Sequence, residues 1–509
     1  MTGGGRLRTA VGCLVTLAIV VPLVWLWWAS RVPSSYSVMD MGYLDYGGGP
    51  APAAAGMPGM EHGASVADLR TESTQPPDVA FDLTTREQRF TLPTGEQVDG
   101  YTVNGRSPGP TLRVHVGDLV EVHLHNANVV GGITLHWHGV DVPNGEDGVA
   151  GVTQDAVAPG DEFTYRWVAP HTGTYWYHSH QVSHEQVVGG LFGAIVVLPR
   201  VSTSSTTGAG STTGADSTTG AGSTAKDVLA VVHTYAGVAT AGGRSGTSRV
   251  PAAPGQRVRV RVVNTDNGPQ SLWSGTAFRL LATDGYHVHG PTPVQGESVG
   301  IPAGGRAMVE LTVPDDGAAR VQLLGGLSLV VGPRGASAPA VPQPQRQLDR
   351  LHYGTPGPLP FDAHHPDRSF DYSIGRRPGF VDGVPGMWWS VNGHLFPDLP
   401  MFVVEEGDVV RIHYENHSGD VHPMHLHGHH GVVLDRDGHP VTGSPWWFDS
   451  LDVRDGESYD VAFVADNPGI WMDHCHNLEH AAQGLVTHLM YAGVTEPFRV
   501  GGRARNEPE

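Results

Sequence analysis

From Val79 to Val494 the chain is built of short β-branched runs, each cut off by Gly, Pro, Asn or Asp: TLRVHV, LVEVHLHN, FTYRWVAP, TYWYHSH and LFGAIVVLP, then RVRVRVVNTD, FRLLATDG and AMVELTVPDD. Runs this short, evenly spaced between turn residues, form strands of antiparallel sandwiches and leave no room for long amphipathic helices. The 69 glycines and 39 prolines supply the turns. At 509 residues the chain is too long for a single core. The expected fold is therefore all-β: three consecutive Greek-key β-sandwich domains at residues 78–200, 227–335 and 370–497. Ser-Thr-Thr-Gly-Ala units fill most of a low-complexity linker at 201–226, and a Pro/Gln-rich linker covers 336–369.

Ahead of the sandwiches, Arg6 and Arg8 precede an apolar stretch from Ala10 to Ala29, closed by Trp25, Trp27, Trp28 and Arg31. Some 20 apolar residues cross a bilayer as a helix, and the preceding positive charge favours a cytoplasmic N-terminus. Residues 1–31 thus read as one transmembrane anchor, with the body on the extracytoplasmic side of the cell membrane. A cleaved secretory signal, releasing a secreted protein, is the competing reading. Residues 32–77 read as a flexible Gly/Pro/Met-containing linker. Its Met39, Met41, Met57, Met60 and His62 offer soft ligands for Cu(I), although a linker that simply contains methionines explains them as well. Cys13 and Cys475 lie too far apart in character and position to form a disulfide framework. With 31 Lys and Arg against 51 Asp and Glu, the net charge of -20 excludes a nucleic-acid partner.

The 29 histidines are the compositional outlier. Ten fall, with one cysteine, in four motifs: His136-Trp-His138, His178-Ser-His180, His422-Pro-Met-His425-Leu-His427 and His474-Cys475-His476-Asn-Leu-Glu-His480. Side chains at i and i+2 leave one face of a strand, so each His-x-His is a pair aimed one way. Two pairs from the first sandwich and two from the third supply eight imidazoles able to converge on a multinuclear metal cluster. Cys475 and His422 have the opposite parity and, with His480 after a turn, give a separate His₂Cys set, the ligand set of a blue-copper site.

These four motifs, in this order, resemble those of the multicopper oxidases, the family of laccases, bilirubin oxidase and ascorbate oxidase. The resemblance covers about residues 80–495. It implies cupredoxin-like domains and four copper ions. A type 1 copper would be held by His422, Cys475 and His480, a type 2 copper by His136 and His425, and a type 3 pair by His138, His178, His180, His427, His474 and His476. It also implies a middle domain that lacks copper and acts as a spacer. The activity implied is one-electron oxidation of a small-molecule reductant, laccase-like toward phenols and aromatic amines, coupled to four-electron reduction of dioxygen to water. A metallo-oxidase acting on Cu(I), Fe(II) or Mn(II) is the alternative. Asp147 matches an acid proposed to assist oxygen reduction in relatives; an Asp-Gly pair is equally an ordinary turn.

Two departures stand out. Leu485 occupies the position where many members place a methionine beside the type 1 copper, with Met490 the nearest thioether downstream. A site without that donor is expected to have a raised potential. Ala481 and Ala482 follow His480 where some relatives carry acids. The remaining histidines singled out, His287, His289, His364, His365, His429 and His430, are expected to face solvent.

Overall fold

The computed structural model describes residues 3–51, 63–200 and 225–509. Met57, Met60, His62 and the Ser-Thr-Thr-Gly-Ala units at 202–224 lie outside them. Among the described residues one helix, α1 (Gly3–Ala29), is long and apolar enough to cross a membrane; its qualifying span is Arg8–Ala29, none of it buried in the protein.

The rest is mostly β-sheet, stacked in three sandwiches of the cupredoxin type, with short helices at Ser183–Gln186 and Leu478–Ala482. Each opens with the same move: its first long strand pairs in parallel with a later strand of the same sheet. Val79–Thr91 lies beside Leu119–Asn126, Lys226–Tyr235 beside Arg257–Asn264, and Arg368–Val381 beside Val409–Asn416. A parallel neighbour cannot be reached by a hairpin, so the intervening chain crosses to the second sheet, which is how the sandwich closes. The alternating patterns fill three separate cores. Leu83, Val122, Trp137 and Ile195 belong to the first, Val260, Leu280 and Val309 to the second, and Tyr372, Ile412, Met424 and Trp471 to the third.

Two expected linkers are held down. Ser35–Tyr36 pairs with Val500–Gly501, Tyr43–Asp45 with Pro400–Val404, and Ala64–Ser65 with Val494–Thr495. Met39 and Met41 pack against the third core, Val66 is fully buried, and Arg70 forms an ion pair with Glu146 at 3.0 Å. The loose tether expected over 32–77 is therefore corrected for its described parts: Tyr43–Asp45 extends an open sheet edge of the third sandwich, and the other two segments form separate two-stranded pairs. The 336–369 linker is ordered likewise, with Tyr353 buried in the second core and its hydroxyl donating to the Thr292 carbonyl at 2.7 Å.

Six strands frame the site. In the first sandwich these are β1 (His136–His138) and β2 (Gly173–His178); in the third, β3 (Pro400–Val404), β4 (His422–Leu426), β5 (Ile470–Cys475) and β6 (Val486–Tyr491).

Candidate metal centre

Strand parity decides where each ligand candidate points. β1 pairs antiparallel with β2, setting His136 opposite His178. Trp137, between the two histidines, enters the first core and donates its indole N–H to the Glu146 carbonyl at 2.9 Å. That sends His136 and His138 out of the opposite face. In the third sandwich Met424 faces Cys475 and His425 faces His474 across β4 and β5. Met424 and Cys475 turn into the core; His425 and His474 turn outward.

The outward faces meet, and all eight imidazoles come together, each with 2% exposure or less. His136 Nε2 is 3.5 Å from His425 Nε2, and His427 Nε2 is 3.2 Å from His474 Nε2. The rings of His138 and His476 stack at 4.7 Å, those of His178 and His476 lie 5.5 Å apart, and those of His180 and His427 5.0 Å apart. His422, Cys475 and His480 form a second group: Cys475 Sγ is 3.5 Å from His422 Nδ1 and 3.8 Å from His480 Nδ1, and the two nitrogens are 3.2 Å apart. The Ser418 hydroxyl and the Asn477 amide engage the far nitrogens of these two rings, at 2.8 and 3.0 Å, so both Nδ1 atoms face the sulfur. Trp389 packs on both rings.

The hydrogen bonds leave lone pairs facing one another. His136 Nδ1 donates to the Asp147 carbonyl and His425 Nδ1 to the Asp449 carbonyl, at 3.0 and 2.7 Å. Their neighbouring Nε2 atoms are then both acceptors. His427 Nδ1, 3.0 Å from an Asp147 carboxylate oxygen, and His474 Nδ1, 3.2 Å from the Cys475 carbonyl, create the same opposition between their Nε2 atoms. Burial holds His425, His427 and His474 far below the usual imidazole range, and His180, His422 and His476 at about 3, so protonation does not relieve it. Burial likewise pushes the Cys475 thiol up, so a thiolate there requires a cation. Neutral imidazoles with opposed lone pairs, beside ring nitrogens of His138, His178, His180 and His476 that lack a hydrogen-bond partner, fit the chemistry of a metal-binding donor set.

Asp147 is buried at 1% exposure, its carboxylate oxygens 3.0 Å from His136 Nδ1 and from His427 Nδ1. It orients one imidazole from each sandwich. Leu485 is fully buried, and its carbonyl accepts the Cys475 N–H at 3.1 Å. Met490 pairs with Ile470, five positions along β5 from Cys475, which is about 16 Å at 3.3 Å per residue. No route brings its sulfur to Cys475.

Other residues at the cluster carry no spacing signal. Gly304, with φ of 78°, lies so close that a Cβ there would stand 2.5 Å from His138 Nε2. Its carbonyl accepts the Trp176 indole N–H at 3.0 Å. Arg306 forms a two-point ion pair with Asp449 and donates to the Thr174 carbonyl at 3.0 Å. Both come from the second sandwich, so the expectation of a mere spacer is corrected: that domain supplies part of the cluster's wall. Glu509 Oε1 reaches within 3.1 Å of His474 Nδ1. His429 and His430, expected at the surface, are buried. His429 Nε2 bonds the Tyr491 hydroxyl at 2.7 Å, and His430 lies between Asp141 and Asp449 at 3.0 and 3.3 Å. Burial alone would lower the His430 pKa, but the two carboxylates outweigh it and raise it to about 10. His287, His289, His364 and His365 are exposed as expected.

Family models described as multicopper oxidase match residues 84–202 and 368–493, the two segments that contain every histidine of both groups. The chain belongs to the multicopper oxidase family. Multicopper oxidase MmcO of Mycobacterium tuberculosis is 27% identical over 489 residues, covering 86% of this chain and 92% of that protein. Laccase-1 of Botryotinia fuckeliana is 26% identical, covering 76% and 77% of the two chains. In fold, the chain is similar to the solved structure of Fet3p, a multicopper oxidase that functions in iron import. The TM-score is 0.67 at 20% identity, over 82% of this chain and 90% of that one. This multicopper oxidase is therefore an oxidoreductase of a copper-dependent family.

Proposed function

We propose that this enzyme couples laccase-like one-electron oxidation of phenols or aromatic amines to four-electron reduction of dioxygen to water. Four coppers supply that redox chemistry when bound. The residues fit them as one mononuclear site of His422, Cys475 and His480, a type 2 site of His136 and His425, and a type 3 pair sharing His138, His178, His180, His427, His474 and His476. One observation carries the reading. Cys475 points into the third core while His474 and His476, its immediate neighbours, point to the interface. A single peptide unit on either side thus joins the thiolate group to the eight-imidazole group. Burial of the eight excludes bulk water, whereas His480 is half-buried and gives a reductant an approach to the thiolate site.

The relatives divide between a laccase and an iron-import oxidase, so the reductant is tested directly. Oxygen uptake by the copper-loaded protein, compared for a phenolic donor and Cu(I) at matched concentration, is expected to be faster with the phenol. Faster uptake with Cu(I) replaces this reading with a metallo-oxidase.

Asp147 is assigned as a positioning residue. Its carboxylate accepts from the His427 imidazole, while its backbone carbonyl holds His136, and losses of about 10- to 100-fold in metal affinity or activity accompany removal of such partners. Asp147→Asn is expected to lose copper from the cluster in that range with the thiolate site's blue absorption retained; unchanged occupancy and turnover remove the role. With hydrocarbon at Leu485 and no thioether arriving from Met490, the thiolate site's potential is expected to be high. Leu485→Met is expected to lower it in redox titration, and an unchanged midpoint contradicts that. Helix α1 we assign as an uncleaved anchor; full-length protein staying in the soluble fraction after cell lysis argues for a cleaved signal instead.

A further inference from the structure

The sheet that carries His474 presents a second set of soft donors, one step along the strand. Met401 on β3 and Met472 on β5 each pair with His488 on β6. Directly paired residues of neighbouring strands project from the same face, with the strands about 4.8 Å apart. The three therefore make a row, thioether–imidazole–thioether, across the sheet. Met401 and Met472 are 1% exposed and His488 4%.

All three line a cavity of about 690 Å³, which also takes in Met41 from the strapped N-terminal segment. Its rim reaches the exposed Gly502 and Arg505, and its inner wall includes Glu509, whose carboxylate touches His474. Met472 precedes His474 by two residues, one same-face step of about 6.6 Å. The cavity therefore runs from solvent to the flank of the histidine cluster.

His488 Nε2 is buried with no hydrogen-bond partner. Leaving such a group unsatisfied is costly, and native proteins rarely do so without a reason. Burial holds the ring neutral, its pKa pushed down to about 4, so one of its two nitrogens has a lone pair to offer. Two thioethers and a neutral imidazole, with no carboxylate in the row, suit a soft monovalent ion and not a hard divalent one. We propose that Met401, Met472 and His488 form a Cu(I)-binding site on the route by which copper reaches the histidine cluster.

Silver(I) is the redox-inert probe. Titrated with Ag⁺, the full-length, copper-loaded protein is expected to bind one ion that the Met401→Leu/Met472→Leu double variant binds at least tenfold more weakly. Leucine nearly conserves the volume of methionine, so the core is retained. The uptake role predicts, in addition, that copper-depleted full-length variant fills its cluster from Cu(I) at least tenfold more slowly. Its final copper content and phenol turnover are expected to match the parent. Equal silver stoichiometry and affinity in parent and variant overturns the site. Weakened silver binding with an unchanged rate of copper uptake overturns the role in loading. The loading role rests on the copper assignment above, whereas silver binding does not, so the two failures are read apart.

Discussion

Cys475→Ser is expected to abolish both the blue thiolate absorption and dioxygen consumption while the eight-imidazole cluster still takes up metal. The sulfur is the one soft anionic donor of its group, 3.5 and 3.8 Å from the two facing nitrogens. A serine hydroxyl is neither soft nor ionised near neutral pH, so His422 and His480 are left as two imidazoles without a charge partner. The imidazoles of His474 and His476 leave the other face of the strand, and the exchange of one buried atom for a smaller one does not move them. Visible absorption, metal content and oxygen uptake on one sample separate the effects. Blue absorption or turnover surviving the exchange would show that Cys475 is not the electron-accepting ligand. Loss of all metal would show instead that the two groups are not independent.

The second large effect is expected at a residue with no role in electron transfer. Arg306 is 2% exposed and forms an ion pair with Asp449 across the boundary between the second and third sandwiches, while its Nε donates to Thr174 of the first. Arg306→Met leaves the Asp449 charge buried with only imidazoles, His430 and His138, beside it, and takes the guanidinium from buried Asp284 as well. Removing one partner of a buried pair costs about 3–5 kcal/mol, far more than the pair contributes over an apolar replacement. The urea midpoint is expected to fall accordingly, with cluster copper lost before thiolate-site copper, because His425 depends on the Asp449 carbonyl. A double variant, Arg306→Met with Asp449→Leu, is expected to recover part of the stability, because Asp284 still loses its partner 3.6 Å away. A shift below about 1 kcal/mol in the single variant would place the pair with surface salt bridges, which contribute little.

The fold class and ten of the eleven ligand candidates were legible because they rest on period two; His480 follows a turn and stands on the short helix Leu478–Ala482. Alternation set which histidines share a face, and the Cys475 parity needed no coordinates. What the sequence did not disclose came from residues with no periodic signal. Gly304 matters through the absence of a side chain beside His138, and Arg306 through partners 132 and 143 positions away in the chain. His429 and His430 follow a ligand motif closely enough to look like overrun, yet Tyr491, Asp141 and Asp449 are waiting for them in the fold. The strapping of residues 35–45 was hidden because strands of two or three residues carry too little pattern to stand out from Gly/Pro-rich sequence.

His422, Cys475 and His480 lie within one sandwich, whereas His136 and His425 meet across 289 positions of chain. The two groups therefore differ in what each needs to form. The thiolate group needs only the third sandwich to bring its three donors together. The eight imidazoles have no geometry until the first sandwich docks on the third with Gly304 and Arg306 of the second at the seam. Colour thus reports that one unit has folded, and dioxygen reduction reports that the whole chain has closed.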